Sequence, residues 1–133
     1  MTYDDPKPSD PNLPPAPAAP APSNAPPDYK TAGIFTLASG IVNILASLSW
    51  IGVLIWICIG VLWVVPLAAG IFEIIVGISA MNGQPAPHLK TASILGLVAG
   101  VFTGNPISIV LEILSLVWMN KPEVSGWMAS NRA

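Results

Sequence analysis

Charged residues are scarce in this sequence. Asp, Glu, Lys and Arg together make up 9% of the chain, whereas hydrophobic residues make up 53%. An ordinary soluble domain carries about 25% charged residues. The scarcity is also uneven, because residues 31–89 contain a single formal charge, Glu73. We therefore expect no water-soluble globule, but a polar N-terminal tail followed by an all-α domain embedded in a lipid bilayer.

Cysteine and histidine each occur once. Cys58 lies in an apolar stretch, so it can form neither a disulfide nor a thiolate metal site within one chain, and we predict a small packing residue. His88 lies in the turn "GQPAPHLK". The sequence offers no second histidine, cysteine pair or acidic cluster to complete a metal site or a nucleophile and its base. We predict a non-enzymatic protein without a metal or a cofactor.

Proline is concentrated in the N-terminal tail, residues 1–29, which we predict to be extended, disordered and cytoplasmic. The tail is acidic and lacks the apolar core of a cleavable signal peptide, so the first helix is expected to act as the insertion signal. One proline pattern repeats every third residue, as on the edge of a polyproline II helix that SH3-type grooves bind. Its members are Pro8, Pro11, Pro14, Pro17 and Pro20.

A second proline pattern closes the tail. In "PPDY", the residues Pro26, Pro27 and Tyr29 match the PPxY pattern that WW domains bind. Both patterns predict a cytoplasmic partner for the tail. The alternatives are a flexible spacer and, for Tyr29 beside Lys30, an aromatic anchor at the headgroup level of a bilayer.

An internal repeat organises the apolar part of the chain. "KTAGIFTLASGI", from Lys30, aligns without gaps to "KTASILGLVAGV", from Lys90, with six of twelve positions identical. The segments "GIFEIIVGISAMN" and "IVLEILSLVWMN" then align at a glutamate and, after a one-residue slip, at a Met-Asn pair. The sequence therefore predicts four transmembrane helices built as two parallel copies of one helical hairpin.

Chain breakers divide the predicted membrane domain, residues 30–120, into its helices. We place spans at about 31–49, 54–81, 89–103 and 106–120, with turns near "SLSWIG" and at "TGNP" and a short cytoplasmic tail over 121–133. About 15 residues of helix reach only about 22 Å. The second hairpin must therefore thin the bilayer or lie shielded by a partner; a reentrant hairpin is the alternative.

The basic residues predict the orientation. With four spans they all fall on one aqueous side, and the two loops on the opposite side carry no charge. They are Lys7, Lys30, Lys90, Lys121 and Arg132. The positive-inside rule then puts both termini of this multi-pass protein in the cytoplasm. Five basic residues and a net charge of −2 provide no electrostatic footprint for nucleic acid.

Two acids, Glu73 and Glu112, lie within predicted spans at corresponding positions of the two halves. Helical spacing puts each on a face with small residues, which allow helix backbones to approach closely in lipid. The predicted packing glycines are Gly40, Gly70, Gly77, Gly96 and Gly100. The predicted polar neighbours on the first helix are Thr36, Ser39 and Asn43. We expect both glutamates to face the interior, protonated or hydrogen-bonded to hydroxyls and carbonyls.

The chain has a family resemblance in style. Its proline-rich tail, helices of the "GIFEIIVGI" kind and the ending "LVWMNKPEV" resemble, over about residues 30–125, the small and uncharacterised four-span proteins of bacterial envelopes. More distantly it is similar to CD20-like tetraspan proteins. The resemblance implies membership of a membrane complex and supplies no catalytic residue. We expect an accessory or scaffold subunit that packs against other membrane subunits or copies of itself; the alternative is an oligomeric proton or ion pathway that uses Glu73 and Glu112.

Overall fold

The computed structural model describes residues 24–57 and 59–131, and this part of the chain is helical throughout its regular structure. Its five α-helices are α1 (Pro27–Leu54), α2 (Val64–Met81), α3 (Leu89–Thr103), α4 (Pro106–Met119) and α5 (Pro122–Ser130). Two short 3-10 segments, Ile55–Ile57 and Gly60–Trp63, lie between α1 and α2. The predicted all-α class is confirmed for the described residues.

Proline and glycine set several helix ends. Proline occupies the first turn of α1, α4 and α5, where its missing N–H would have had no partner within the helix. Gly104 ends α3 in the left-handed conformation, with a φ of 66° that glycine adopts without steric cost. Asn105 then caps α4, because its side-chain oxygen accepts from the Ser108 N–H at 3.3 Å. These two residues make the short turn between α3 and α4.

The first four helices form an antiparallel bundle. Helix α1 packs against α2 and α4, and α3 completes the ring by packing against the same two helices; α1 and α3 also contact each other across the interior. Helix α5 lies at the end where α1 and α3 begin. There it buries Val124 and Met128 in one cluster with Tyr29 and Leu89. The bundle therefore consists of two helical hairpins, α1–α2 and α3–α4, with a short helix across one end.

The helix bounds differ from the predicted spans mainly in the first hairpin, where α1 begins at Pro27 instead of about 31 and α2 begins at Val64 instead of about 54. The predicted bounds of 89–103 coincide with α3, but α1 continues five residues beyond the predicted end at 49, and the turn lies at Gly60 instead of near Trp50. A Cβ at Gly60 would lie 3.0 Å from the Ile55 N and 3.2 Å from the Ile51 O, so the chain reverses tightly over the end of α1. Gly52, in contrast, has open space around it and does not interrupt α1.

The predicted tails also differ from the structure. Residues 122–130 form helix α5 instead of a tail, because Val124 and Met128 share one face that packs on the bundle. At the N-terminus, residues 1–23 and the period-three prolines within them lie outside the described residues. The last residues of the predicted tail, from Pro27, already belong to α1.

Glycines bring α1 and α2 into backbone contact at two levels. A Cβ at Gly40 would lie 2.7 Å from the Gly70 carbonyl oxygen, and one at Gly70 would lie 2.9 Å from the Gly40 carbonyl oxygen. Seven residues away on each helix, a Cβ at Gly77 would lie 2.9 Å from the Gly33 carbonyl oxygen. Any side chain at these positions would separate the two helices. The close approach is the geometry that small residues permit between helices in lipid.

The bundle carries apolar side chains outside and polar side chains inside. Large aliphatic residues on all four long helices are exposed, for example Leu45 at 60%, Ile75 at 60%, Val98 at 61% and Val110 at 54%. Ten polar residues are buried among the described ones. They are Thr36, Ser39, Asn43, Ser47, Glu73, Ser93, Thr103, Ser108, Glu112 and Ser115. Two helical stretches, Pro27–Leu54 and Gly60–Met81, are long and apolar enough to cross a membrane; Leu89–Thr103 and Pro106–Met119 are shorter apolar helices.

The remaining charges of the described residues collect at one end of the bundle. Apart from the two interior glutamates, every charged residue from 24 to 131 lies where α1 and α3 begin and where α2 and α4 end. Lys121 forms an ion pair with Asp28 at 2.8 Å, and its ammonium lies 3.5 Å from the centre of the Trp118 ring. Lys90 donates to the Asn120 side chain at 3.2 Å. The opposite end of the described bundle carries no charged residue.

We predict that Gly40→Ala destabilises the bundle by about 1–3 kcal/mol, because the added methyl group must push apart two helices that are in backbone contact. Gly52→Ala, on the same helix but with no atom within 4 Å of its Cβ, is the matched control. It should be neutral or stabilise by up to about 1 kcal/mol, since alanine restricts the unfolded chain more than glycine does. Thermal unfolding of the purified variants compares the two. Equal melting temperatures would contradict the close contact.

Candidate functional site

The candidate site is the polar interior of the bundle, and α1 contributes most of it. Thr36, Ser39, Asn43 and Ser47 follow one another at spacings of three and four residues, so they lie along one face of the helix. All four are fully buried. That face points to the middle of the ring, where it meets α2, α3 and α4. The spacing of these residues thus builds a polar stripe along the bundle axis.

Three hydroxyl groups from three helices meet at one level of the stripe. The Thr36 Oγ1 lies 3.0 Å from the Ser93 Oγ and 2.8 Å from the Ser115 Oγ, and the two serine oxygens are 3.1 Å apart. The Ala32 carbonyl oxygen accepts from both Thr36 and Ser115 at 3.1 Å. Each hydroxyl has one proton to donate and can accept from its neighbours, so the three hydroxyl groups share these contacts. It joins α1, α3 and α4.

On the side of the triangle that faces the uncharged end, two further polar contacts join the helices. Ser39 and Ser108 link α1 to α4 through their hydroxyl groups at 2.7 Å. The Asn43 Nδ2 donates to both carboxyl oxygens of Glu73, at 3.1 and 3.2 Å, and approaches the Gly96 carbonyl oxygen at 3.4 Å. Asn43 thus connects α1 to α2 and to α3. Hydrogen bonds of this kind stabilise helix pairs in lipid by about 0.6 kcal/mol on average.

The two glutamates meet beside Gly96. A Cβ at this position of α3 would lie 2.6 Å from the Glu73 Cδ and 2.9 Å from the Glu112 Oε1. Both carboxyl groups are fully buried, and they are near enough for their charges to interact. The missing side chain of Gly96 therefore provides the space in which an acid of α2 and an acid of α4 come together. We call Glu73 and Glu112 the carboxyl pair.

Several oxygen atoms around the carboxyl pair have no partner within the described part of the chain. They are both carboxyl oxygens of Glu112, the Asn43 Oδ1 and the Ser47 Oγ. Glu73 differs, because Asn43 donates to both of its oxygens. A buried polar atom without a hydrogen bond costs about 1–3 kcal/mol, and more if it is charged. The two acids of the pair therefore have unequal surroundings.

Aromatic side chains pack together at the uncharged end of the bundle. The Trp50 Nε1 donates to the Thr103 carbonyl oxygen at 3.2 Å. The ring of Trp63 lies 5.8 Å from that of Trp50 and 5.3 Å from that of Phe102, measured between centroids. The larger cavities lie on the outside of the described bundle. One of about 330 Å³ lies between α2 and α3 and is lined by apolar residues such as Val65, Pro66 and Phe102.

The predicted tail motif has a structural role at the other end. Tyr29 is fully buried, and its hydroxyl donates to the Gln84 carbonyl oxygen at 2.9 Å and accepts from the Ala86 N–H at 2.8 Å. Its ring packs 4.5 Å from that of Trp127 in α5. Of the predicted WW-domain motif, Pro26 and Tyr29 are buried in this structure and Pro27 is exposed. The tyrosine holds the α2–α3 loop and α5 against the start of α1.

The structure brings most of the predicted site residues together. Glu73, Glu112, Thr36, Ser39 and Asn43 lie in one polar interior. The predicted packing glycines also line helix contacts, with Gly40, Gly70 and Gly77 between α1 and α2, Gly96 beside the carboxyl pair and Gly100 against Ser108. Sequence reasoning missed Ser93, Ser47 and Gly33. The signal for Ser93 was available, since it lies three residues before Gly96 on the same helix face.

Comparisons with known proteins add no assignment. No family model matches the chain, and neither a curated protein nor a solved structure has a significant similarity to it. Among the described residues, no group of three or more His, Cys, Asp or Glu side chains could hold a metal ion.

We predict that Ser39 and Ser108 are energetically coupled. In a double-mutant cycle of Ser39→Ala and Ser108→Ala, the interaction free energy should be about 0.5–1.7 kcal/mol in favour of the pair, because a hydroxyl left alone in the interior finds no water. Ser49 bonds only to the Leu45 carbonyl of its own helix and is exposed. Ser49→Ala is the control and should change stability by less than about 0.5 kcal/mol. Additive effects of the two interior substitutions would contradict the contact.

Proposed function

We propose that the chain is a four-span integral membrane protein that acts as a non-enzymatic accessory or scaffold subunit. The observation that carries the proposal is the distribution of side chains, with aliphatic residues outside and hydroxyl, amide and carboxyl groups inside. Water would favour the opposite arrangement, because exposed apolar area costs about 25 cal/mol per Å². A hydrocarbon solvent favours the one described.

The exposure of the helices supports a lipid surround. Only 22% of the most apolar window of Pro27–Leu54 is buried within the bundle, and only 28% of that of Gly60–Met81. The core helix of a soluble protein with the same composition would be mostly buried. In this bundle, most residues in the apolar stretches of these two helices face outward. A bilayer is the surround that covers this surface on every side of the bundle.

The second hairpin supports an assembled state. Helices α3 and α4 contain 15 and 14 residues, a length of about 21–22 Å against a hydrocarbon core of about 30 Å. Isolated helices of this length would thin the bilayer around them. Packing against a neighbouring subunit or a second copy of the chain would remove that cost. We therefore expect α3 and α4 to lie inside a larger complex.

The charges support an orientation with the charged end in the cytoplasm. Lys30, Lys90 and Lys121 lie at one end of the described bundle, and the opposite end is uncharged. Lysine and arginine are enriched in cytoplasmic loops of membrane proteins. The N-terminal tail would then extend into the cytoplasm, where its proline-rich sequence can bind a further partner.

Topology reporters test the four spans. A reporter fused to the C-terminus should be active only in the cytoplasm, and a fusion truncated after Gly104, at the uncharged end, only on the other side. The fusions form a matched pair because they differ by the presence of α4 and α5. A cytoplasmic signal from the Gly104 fusion would contradict a third span and favour a reentrant hairpin over residues 89–120.

Native-state extraction tests the scaffold role. Purification of the tagged full chain in a mild detergent should recover a stoichiometric membrane partner or a homo-oligomer of defined size, because the short hairpin needs a neighbour. Exchange into a harsh detergent is the control and should release the chain as a monomer. A monodisperse monomer in the mild detergent, with its helices intact by circular dichroism, would contradict the proposal.

A proton or ion pathway is the second candidate, and the unpartnered Glu112 carboxyl favours it. Two features favour the scaffold. Most hydroxyl and amide groups of the interior already bond across helices, which fixes the register of the bundle. Aromatic pairs also lie at both ends of the interior, Tyr29 with Trp127 at one end and Trp50 with Trp63 at the other. A pathway would require both ends to open.

A further inference from the structure

The unequal surroundings of the two acids of the carboxyl pair point to a specific distribution of charge. Asn43 donates to both oxygens of Glu73 through a single Nδ2 atom. A carboxylate accepts at both oxygens, whereas a protonated acid offers a donor at one of them. The same Nδ2 faces the Gly96 carbonyl oxygen, which can only accept, and this fixes the orientation of the amide group. Asn43 thus supplies Glu73 with the donor that a carboxylate needs.

The surroundings of Glu112 favour its neutral, protonated form. Its two carboxyl oxygens are buried and receive no hydrogen bond from the described residues. An ionised carboxylate without donors is among the most costly groups to bury, and protonation removes most of that cost. A protonated Glu112 also gains one O–H donor. The nearest acid is Glu73, on the other side of the space left open by Gly96.

No other charge balances the pair. The helices around it contribute Ser39 and Asn43 from α1 and Ser93 and Gly96 from α3, none of which carries a charge. Glu112 is the acid beside Glu73, and the described lysines and Asp28 lie at the end of the bundle. Two ionised carboxylates side by side in an apolar surround repel each other strongly. A single bound proton removes that repulsion.

We propose that Glu73 and Glu112 form a buried proton-binding site, in which Glu112 carries the proton and Glu73 is the carboxylate beside it. We assign a proton as the ligand because a Cβ at Gly96 would already overlap both carboxyl groups, and a proton needs no further space. The site joins α2 to α4 across α3. Loss of the proton places two negative charges at this contact, so raising the pH should loosen the bundle. The pair lies inside one bundle, and its protonation is independent of any partner protein.

Infrared spectroscopy of the full chain in lipid vesicles at neutral pH tests the site. The carbonyl band of a protonated carboxylic acid should be present with the intensity of one acid, should be lost in Glu112→Gln and should remain in Glu73→Gln. Glu123→Gln is the control, because Glu123 is exposed on α5 and should not contribute to the band. Absence of the band in the unaltered protein would overturn the proposal. A carbonyl band with the intensity of two acids would overturn it as well, and so would a band that is lost only in Glu73→Gln.

Labelling of the unaltered protein provides a second measurement that needs no folded variant. An apolar carbodiimide adds to protonated carboxyl groups, so peptide mass spectrometry should find the label on Glu112 in excess of Glu73 and Glu123, with a loss of label as the pH rises. Sodium ions are added at constant pH in a parallel sample. Protection by sodium would identify a metal-cation site and overturn the proton assignment. Equal labelling of Glu73 and Glu112 would also overturn it.

Discussion

The structure depends on one constraint: polar groups placed in the middle of an apolar bundle must bond to one another. Each of the four bundle helices contributes buried groups of this kind, among them Asn43 of α1, Glu73 of α2, Ser93 of α3 and Ser115 of α4. Nothing outside the bundle can satisfy them if the surround is hydrocarbon. Their mutual contacts therefore select one register of the helices, since sliding any helix by a turn would separate several pairs together.

Close packing makes these contacts possible. The polar side chains of α1 are short or medium in length, and they reach the other helices only because glycines let the backbones approach. Gly40, Gly70 and Gly77 set the distance between α1 and α2, which places Asn43 within hydrogen-bond distance of Glu73. Gly96 has a different role, because it opens space for two carboxyl groups. The glycines and the polar stripe are thus two parts of one arrangement.

Local sequence rules were sufficient for part of this fold. The spacing of apolar and small residues predicts helices, and "TGNP" predicts the turn after α3, because Gly104 and Asn105 fit the end of one helix and the cap of the next. The extent of α1 could not be predicted in this way. Gly52 resembles a helix breaker in the sequence, but its surroundings are open, and the reversal depends on packing of Gly60 against Ile51 and Ile55. That contact is tertiary.

The candidate site could also be predicted only in part from the sequence. The glutamates stand out in the sequence because they interrupt apolar runs, and helical spacing identifies Thr36, Ser39 and Asn43 as neighbours on one face. Which groups bond to which depends on the rotation and depth of four helices. The triangle that includes Ser93, and the burial of Tyr29 beneath Trp127, both arise from contacts between residues more than 20 positions apart. Periodicity carries no information about such pairs.

The chemical identity of the carboxyl pair also bears on its role. If Glu73 and Glu112 served only as hydrogen-bonding groups, amides would fulfil the role at lower cost, because an amide offers donors and acceptors and never ionises. The bundle already uses an amide in this interior, since Asn43 connects three helices. The property that distinguishes a carboxyl from an amide is the exchange of a proton. Two acids that share one buried space are therefore the feature that distinguishes this bundle from one held together by amides and hydroxyls alone.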